Sequence, residues 1–114
     1  MHESSIQVKI QLDDQKIPQS IDWSATDSTA QEAQAARAMM LTFWDPTDKT
    51  ALRIDLWTKD MMVDEMADFY YQTFMGMADT FIRATQDQVL AGEMKDFAKS
   101  FYKKFRDSQI QKNK

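Results

Sequence analysis

The sequence lacks the residues on which many catalytic and metal sites depend. Its 114 residues include no cysteine, two glycines, two prolines and one histidine, His2. The absence of cysteine excludes disulfide bonds, thiolate nucleophiles and zinc–thiolate sites, and it is compatible with a reducing cytoplasm. Two glycines cannot supply a phosphate-binding loop of the usual kind, and the common nucleotide-binding and hydrolase motifs do not occur. A histidine this close to a terminus lacks the scaffold that positions a general base.

Candidate metal ligands are therefore limited to carboxylates. The acidic residues at positions 45–48 and 60–68 do not follow the spacing of a calcium-binding EF-hand. Turn formation explains the first group, and the preference of a helix start for negative charge explains the second. We expect no metal site, no cofactor and no enzymatic activity.

Long apolar segments are absent as well. No run approaches the roughly 18 apolar residues of a membrane span, and residues 1–20 contain no apolar segment behind a basic start. We therefore expect no signal peptide, no membrane insertion and a cytoplasmic location. The length suits a single domain over residues 1–114, with frayed polar ends at residues 1–4 and 108–114.

Charge is unevenly distributed along the chain. Residues 1–92 carry seven basic and fifteen acidic side chains, whereas residues 93–114 carry seven basic and three acidic ones. This polarity can steer a partner or simply keep the protein soluble. Because the acidic part repels phosphate groups, we expect a protein partner and no nucleic acid.

Alternation of apolar and polar residues predicts four strands. The clearest covers residues 5–13, and a second begins near Pro18 after a polar turn. Residues 30–36 have high helix propensity and stay open between helix and strand. We assign a loop or short helical turn near residues 29–33, followed by a third strand at residues 35–44. A type I turn at residues 45–48 then joins the third strand to the fourth in a hairpin.

The fourth strand divides its side chains between two faces. Those expected to face the core are Leu52, Ile54 and Leu56. The alternate side chains, which are expected on the opposite face, are Arg53, Asp55 and Trp57.

Beyond residue 60 the apolar period changes from two to about 3.6, which predicts two amphipathic helices. The apolar stripe of the first is Val63, Met66, Ala67, Tyr70, Phe74, Met77, Ala78, Phe81 and Thr85. The stripe of the second, which ends near residue 107, is Leu90, Met94, Phe97, Ala98, Phe101 and Phe105. The opposite side of the second helix is a basic face with Lys95, Lys99, Lys103 and Arg106. The predicted fold is α+β, with a four-stranded antiparallel sheet followed by two C-terminal α-helices packed on one face.

Two helices cover only one face of such a sheet, so the other face is expected to meet water. Aromatic residues and methionines concentrated on an exposed surface are typical of an interface. Phe69 and Met75 also interrupt the polar side of the first helix. We therefore predict a homo-oligomer and a partner or self-association surface with Met40, Trp44, Arg53, Asp55, Trp57, Phe69 and Met75.

Several stretches between the second strand and the second helix are distinctive. They are IDWSATD (residues 21–27), AMMLTFWD (38–45), ALRIDLWTKDM (51–61), VDEM (63–66), MADTFIRATQDQ (77–88) and MKDF (94–97). Together they resemble the gliding-motility protein GldC family. The resemblance implies a small protein accessory to gliding motility and linked to the lipoprotein GldB rather than to a catalysed reaction. It supplies no catalytic or cofactor residues.

The order of four strands and two helices also resembles the export chaperone SecB in outline, which is a likeness of fold alone. Flexible methionine-rich surfaces suit promiscuous binding. Two functions therefore stay open. One is a non-catalytic accessory interaction protein of the gliding-motility or associated secretion machinery, and the other is a SecB-like holdase that binds unfolded clients.

Overall fold

Five strands and then two helices occur in the residues described by the computed structural model, 2–28 and 30–112. The strands are β1 (Ile6–Leu12), β2 (Pro18–Ala25), β3 (Gln34–Ala36), β4 (Ala38–Asp45) and β5 (Thr50–Trp57), and the helices are α1 (Val63–Thr85) and α2 (Gln88–Lys112). The chain divides into two compact units, Met1–Met61 and Met62–Lys114, with the strands in the first and the helices in the second. The predicted α+β class is confirmed. The predicted packing of the helices on one face of the sheet, and the predicted single domain, stay predictions.

The hairpin β1–β2 is held by its turn and by one buried side chain. Its antiparallel register places Ile10 opposite Ile21. At the turn, the Asp13 carboxylate accepts hydrogen bonds from the backbone N–H groups of Gln15 and Ile17 at 2.8 and 2.9 Å. Ile21 is only 1% exposed. In β1 the half-buried Val8 and Ile10 alternate with exposed polar residues as predicted, whereas Ile6 and Leu12 at its ends are exposed.

The third predicted strand is divided at Arg37. Its first part, β3, pairs with β2 in a three-stranded sheet, and its second part, β4, pairs with β5 in a two-stranded sheet. The Arg37 carbonyl accepts hydrogen bonds from the backbone N–H and the hydroxyl of Thr58, at 2.8 and 3.3 Å. Because the chain changes its pairing partner here, the predicted single four-stranded sheet is wrong. Residues 30–33 adopt neither helix nor strand, and Thr29 lies outside the described residues.

The hairpin β4–β5 is present as predicted, and the four residues 46–49 connect its strands. Asp45 pairs with Thr50 at its end. The Asp45 carboxylate accepts a hydrogen bond from the Thr47 N–H at 3.0 Å, and its carbonyl accepts one from the Lys49 N–H at 2.9 Å. Lys49 closes the loop in a left-handed backbone conformation, with φ of 54°.

The helical hairpin α1–α2 packs through small residues and an aromatic cluster. Among the side chains that the structure describes in the two helices, the buried ones are Ala67, Ala78, Ala91 and Ala98. Beside them, the ring of Phe74 meets the rings of Phe97 and Phe101 edge-on, with centroids 5.5 and 5.4 Å apart. Lys95 and Asp79 link the helices through an ion pair of 2.9 Å.

The ends of the helices are marked by local contacts. At the start of α1, the Met62 N–H donates to the Glu65 carboxylate at 3.2 Å. At its end, the Gln86 N–H donates to the Ile82 carbonyl at 2.7 Å. Residues 108–112, which we expected to be frayed, continue α2, and residues 113–114 lie outside the described part of the chain. Neither helix carries the apolar length that crossing a membrane requires.

Candidate interaction surface

Alternation along the β4–β5 hairpin sorts its side chains into two faces. The first, which we call the Trp face, carries Ala38, Met40, Thr42, Trp44, Ala51, Arg53, Asp55 and Trp57. The second, which we call the apolar face, carries Met39, Leu41, Phe43, Leu52, Ile54 and Leu56. The predicted parity of the β5 side chains agrees with this register, whereas the prediction that Leu52 and Ile54 face a core is wrong, because both are exposed.

The centre of the Trp face is a hydrogen-bonded polar network. The Nε and Nη2 atoms of Arg53 donate to the two carboxylate oxygens of Asp55 at 2.9 Å each, and its Nη1 atom donates to the Thr42 hydroxyl at 2.8 Å. Thr42 lies directly opposite Arg53 in the register, and Asp55 follows two residues later on the same strand. Because side chains two residues apart share a face, the three groups meet. The bidentate pair fixes the plane of the guanidinium group.

The two tryptophans lie at opposite ends of this face. Trp44 is paired with Ala51, and Trp57 is paired with Ala38. These small neighbours leave the tryptophans 66% and 58% exposed. The distance along β5 from Ala51 to Trp57 corresponds to about 20 Å. Within one chain, the structure thus places two separate aromatic ends around a polar centre, rather than bringing the tryptophans together.

Two further predicted surface residues, Phe69 and Met75, lie on α1. Both are half-buried, and the ring of Phe69 meets the ring of Tyr70 edge-on at 6.4 Å. Their membership in one surface with the tryptophans of the strand unit stays a prediction.

The predicted basic face of α2 takes part in contacts within the helical hairpin. Lys95 forms the ion pair described above, and the Arg106 guanidinium lies 5.9 Å from the centre of the Tyr102 ring. Lys99 and Lys103 are exposed. Two of the four basic groups therefore contact other side chains of the helical unit.

Sequence reasoning missed the exposure of the apolar face. We expected Leu52 and Ile54 in the core, yet they are 55% and 51% exposed, and Phe43 is 58% exposed. Leu56 is half-buried. Alternation identifies the side chains that share a face, but it does not show whether anything covers that face. The sequence of β4 could have indicated this exposure. Both faces of that strand carry apolar side chains, so the strand does not identify either face as the one that meets water.

A second exposed apolar surface lies on the helical hairpin. The predicted stripes identify its residues, but Tyr70, Met77, Leu90 and Phe97 are 38%, 51%, 47% and 59% exposed. Buried Ala67 and Ala78 lie about 60–100° around α1 from Tyr70 and Met77 on an ideal helix. A groove of about 640 Å³ opens beside the exposed stripe, lined by Thr73, Gly76, Met77, Thr80, Phe81, Ala84 and Met94.

Two carboxylates of the strand unit are stabilised in their ionised form by neighbouring donors. A hydrogen bond from the Lys59 ammonium is the largest cause that lowers the pKa of Asp13, and the Ile17 N–H adds to it. The hydroxyl of Thr58 is the largest cause that lowers the pKa of Asp60. Lowered pKa values suit ion pairing and turn formation, whereas a general acid at neutral pH needs a raised one.

The single histidine contacts a carboxylate as well. The Nε2 atom of His2 lies 3.0 Å from the Asp27 carboxylate. The Ser4 hydroxyl and then His2 lower the pKa of Asp27 by hydrogen bonding. These contacts hold the chain before β1 beside the turn that follows β2.

Together these features define a small α+β protein with an aromatic and an apolar face on a strand hairpin and a further apolar surface on a helical hairpin. Residues 18–107 match the family model described as gliding motility-associated protein GldC-like. Because the match covers most of the chain, the protein belongs to the GldC-like family, and the resemblance inferred from its sequence is confirmed. No curated protein and no solved structure matches the chain.

Proposed function

We propose that the protein is a non-catalytic accessory component of the gliding-motility machinery, or of the secretion machinery associated with it, and that it binds a protein partner through the Trp face. Membership in the GldC-like family supports the process. The observation that carries the binding role is the exposure of Trp44 and Trp57, because tryptophan and arginine dominate the energetics of protein interfaces. A GldB-like lipoprotein is the first partner to test. We propose the cytoplasm as the location, in keeping with the absence of cysteine.

The geometry of the Trp face defines what such a partner needs. The two indole rings supply apolar anchors at the ends of the hairpin, and Arg53 between them has an orientation fixed by Asp55 and Thr42. A fixed side chain loses little conformational entropy on binding. The complementary surface would offer two apolar recesses about 20 Å apart, with hydrogen-bond acceptors between them.

Affinity capture from a gliding bacterium that carries the gene tests this proposal. We expect one dominant partner that is lost with Trp44→Ala and with Trp57→Ala, together with a loss of colony spreading. The matched control is Trp23→Ala, because Trp23 lies on β2 in the other sheet and is 37% exposed. Equal capture of the partner by all three variants would contradict a role for the Trp face.

The second candidate function is that of a holdase for unfolded clients. The groove beside Met77 and Phe81, together with exposed Phe97, favours it, because apolar surfaces rich in methionine adapt to varied sequences. The test is the aggregation of an unrelated unfolded protein at an equimolar ratio, followed by light scattering. Suppression that is lost with Phe97→Ser supports the holdase, whereas unchanged aggregation supports the accessory role.

A further inference from the structure

The strand β4 has one edge to which no described strand is paired. The Thr58 N–H donates to the Arg37 carbonyl at 2.8 Å. The backbone groups of Arg37 therefore point toward β5, as do those of every second residue after it in β4. Bonding in an antiparallel pair alternates from residue to residue. The residues whose backbone N–H and C=O groups point away from β5 are therefore Ala38, Met40, Thr42 and Trp44.

This edge lacks the features that keep edge strands apart. Residues 38–44, AMMLTFW, contain no charge, no proline and no glycine, and their pairing with β5 runs without a bulge. Exposed edges in natural proteins usually carry charges, proline or bulges that prevent further pairing. The opposite edge of the hairpin differs, since β5 carries Arg53 and Asp55 and lines a recess of about 230 Å³ together with Ile17 and Pro18.

The exposed area of the chain exceeds what its mass explains. The chain exposes 9300 Å². Two separate globules of half the mass expose about 7,800 Å² together. The excess of about 1,500 Å² is larger than the roughly 800 Å² that each partner contributes to a standard interface. One copy therefore has enough exposed surface for a stable dimer.

The hairpin β4–β5 would gain stability from further strands. A two-stranded sheet alone is marginal in water, and either further strands with an apolar face or packing against a helix stabilises it. Here the apolar face is uncovered at Phe43, Leu52 and Ile54. Joining two hairpins edge to edge produces four strands and doubles the apolar face.

We propose that β4 pairs with β4 of a second copy of the chain, antiparallel and about a twofold axis at Leu41, in a four-stranded sheet with the order β5-β4-β4-β5. Leu41 is the midpoint of the uncharged run, so this register uses all of it. Leu41 then meets its own copy, and Trp44, the largest side chain of the run, faces Ala38, the smallest. The proposed occupant is a second copy of the chain, because a twofold axis places two identical strand edges antiparallel and opposite each other.

The dimer brings together the tryptophans that a single chain separates. Trp57 is opposite Ala38 on one side, and in the proposed register Trp44 of the second copy is opposite Ala38 on the other. Neighbouring strands are about 4.8 Å apart. The two tryptophans therefore lie on either side of Ala38, on strands whose backbones are about 10 Å apart. The dimer thus contains two aromatic clusters on its Trp faces. This inference goes beyond the proposed function and stands without it, because it concerns the purified protein alone.

Single cysteines test the register directly, because the chain has none of its own. Leu41 and its copy form a non-hydrogen-bonded pair with α-carbons about 4.5 Å apart, within the range of a disulfide. We expect Leu41→Cys to form a disulfide-linked dimer rapidly on mild oxidation. The matched control is Ile54→Cys, which lies opposite Leu41 on the same face of the hairpin and is remote from the axis. Equal or faster cross-linking of Ile54→Cys would mean stacking of faces instead and would overturn the proposal.

Proline substitutions test the edge. Thr42→Pro removes an outward N–H without breaking a backbone β4–β5 hydrogen bond, although it also removes the hydroxyl that accepts from Arg53. Ala51→Pro removes the corresponding outward N–H on the outer edge of β5. By sedimentation at tens of micromolar, we expect the wild type and Ala51→Pro at twice the 13.3 kDa chain mass, and Thr42→Pro with at least tenfold weaker association. A monomeric wild type, or a Thr42→Pro variant that dimerises as the wild type does, would overturn the proposal. Far-UV circular dichroism reports folding, and if Thr42→Pro fails to fold, the cysteine comparison decides.

Discussion

At the residue scale, complete burial falls mainly on small side chains. Among the described residues, the buried apolar side chains are Ile21 and five alanines: Ala30, Ala67, Ala78, Ala91 and Ala98. The larger apolar side chains of the strand and helical hairpins are half-buried or exposed. A substitution at Ile21 should therefore have a larger effect than substitutions at most other aliphatic positions.

Ile21→Ala is expected to lower the free energy of unfolding by about 2–5 kcal/mol, because it leaves a cavity at a fully buried position. The matched control is Ile6→Ala on the neighbouring strand, where the isoleucine is 75% exposed. We expect the control to change stability by less than about 0.5 kcal/mol. Urea denaturation of both variants checks this pair, and equal losses would show that β2 does not carry the core of the strand unit.

The ion pair between Asp13 and Lys59 predicts a dependence of stability on pH. The pKa of Asp13 is below its ordinary value of 3.8, chiefly because of the Lys59 hydrogen bond. A carboxyl group with a lowered folded-state pKa stabilises the fold above its unfolded pKa, and this stabilisation is lost as pH falls through the folded value. We expect Lys59→Met to raise the pKa of Asp13 and to weaken the loss of stability below about pH 4. Carboxyl NMR titration measures the pKa of Asp13. The control Lys9→Met makes the same change of charge on β1, and we expect the pKa of Asp13 to stay lowered in that variant.

At the scale of elements, periodicity predicted those strands and helices whose signals are local. The alternation of β1, the turn that begins at Asp45 and the change to helical period near residue 60 each depend on neighbours in sequence. The division at Arg37 was not predicted, because it depends on a change of pairing partner from β2 to β5. The open alternatives for residues 30–36 have the same cause, since helix propensity is a weak preference that pairing overrides.

The residue that ends α1, Gln86, adopts a backbone conformation that is unfavourable for residues other than glycine. Gln86 adopts a left-handed conformation with φ of 58°, which costs a non-glycine residue about 1–2 kcal/mol. We expect Gln86→Gly to stabilise the protein by up to about 1 kcal/mol after the greater flexibility of glycine in the unfolded chain is counted. Thermal denaturation measures the gain. The contrasting change is Ala84→Gly within α1, which should cost about 1 kcal/mol, and a loss of stability in both variants would contradict the role given to the left-handed end.

At the scale of the whole molecule, the candidate surface could be predicted only as a set of residues on one face. Parity along β5 placed Arg53, Asp55 and Trp57 together, and the structure agrees. The sequence could not show that Trp44 and Trp57 occupy opposite ends, because their separation depends on the register set by the turn. Nor could it show that the apolar face is exposed, because covering a face requires contacts distant in sequence.

Self-association predicts that thermal stability depends on protein concentration. A dimer that dissociates on unfolding is stabilised by mass action, by about 1.4 kcal/mol for each tenfold rise in concentration. For a folded unit of two chains of 114 residues, this corresponds to an increase in Tm of about 3–6 °C per tenfold. We expect this slope for the wild type and for Ala51→Pro, and a markedly smaller one for Thr42→Pro, in thermal melts from 1 to 100 µM. A Tm that stays constant for the wild type would show that the folded unit is a single chain, and the unpaired edge of β4 would then need another explanation.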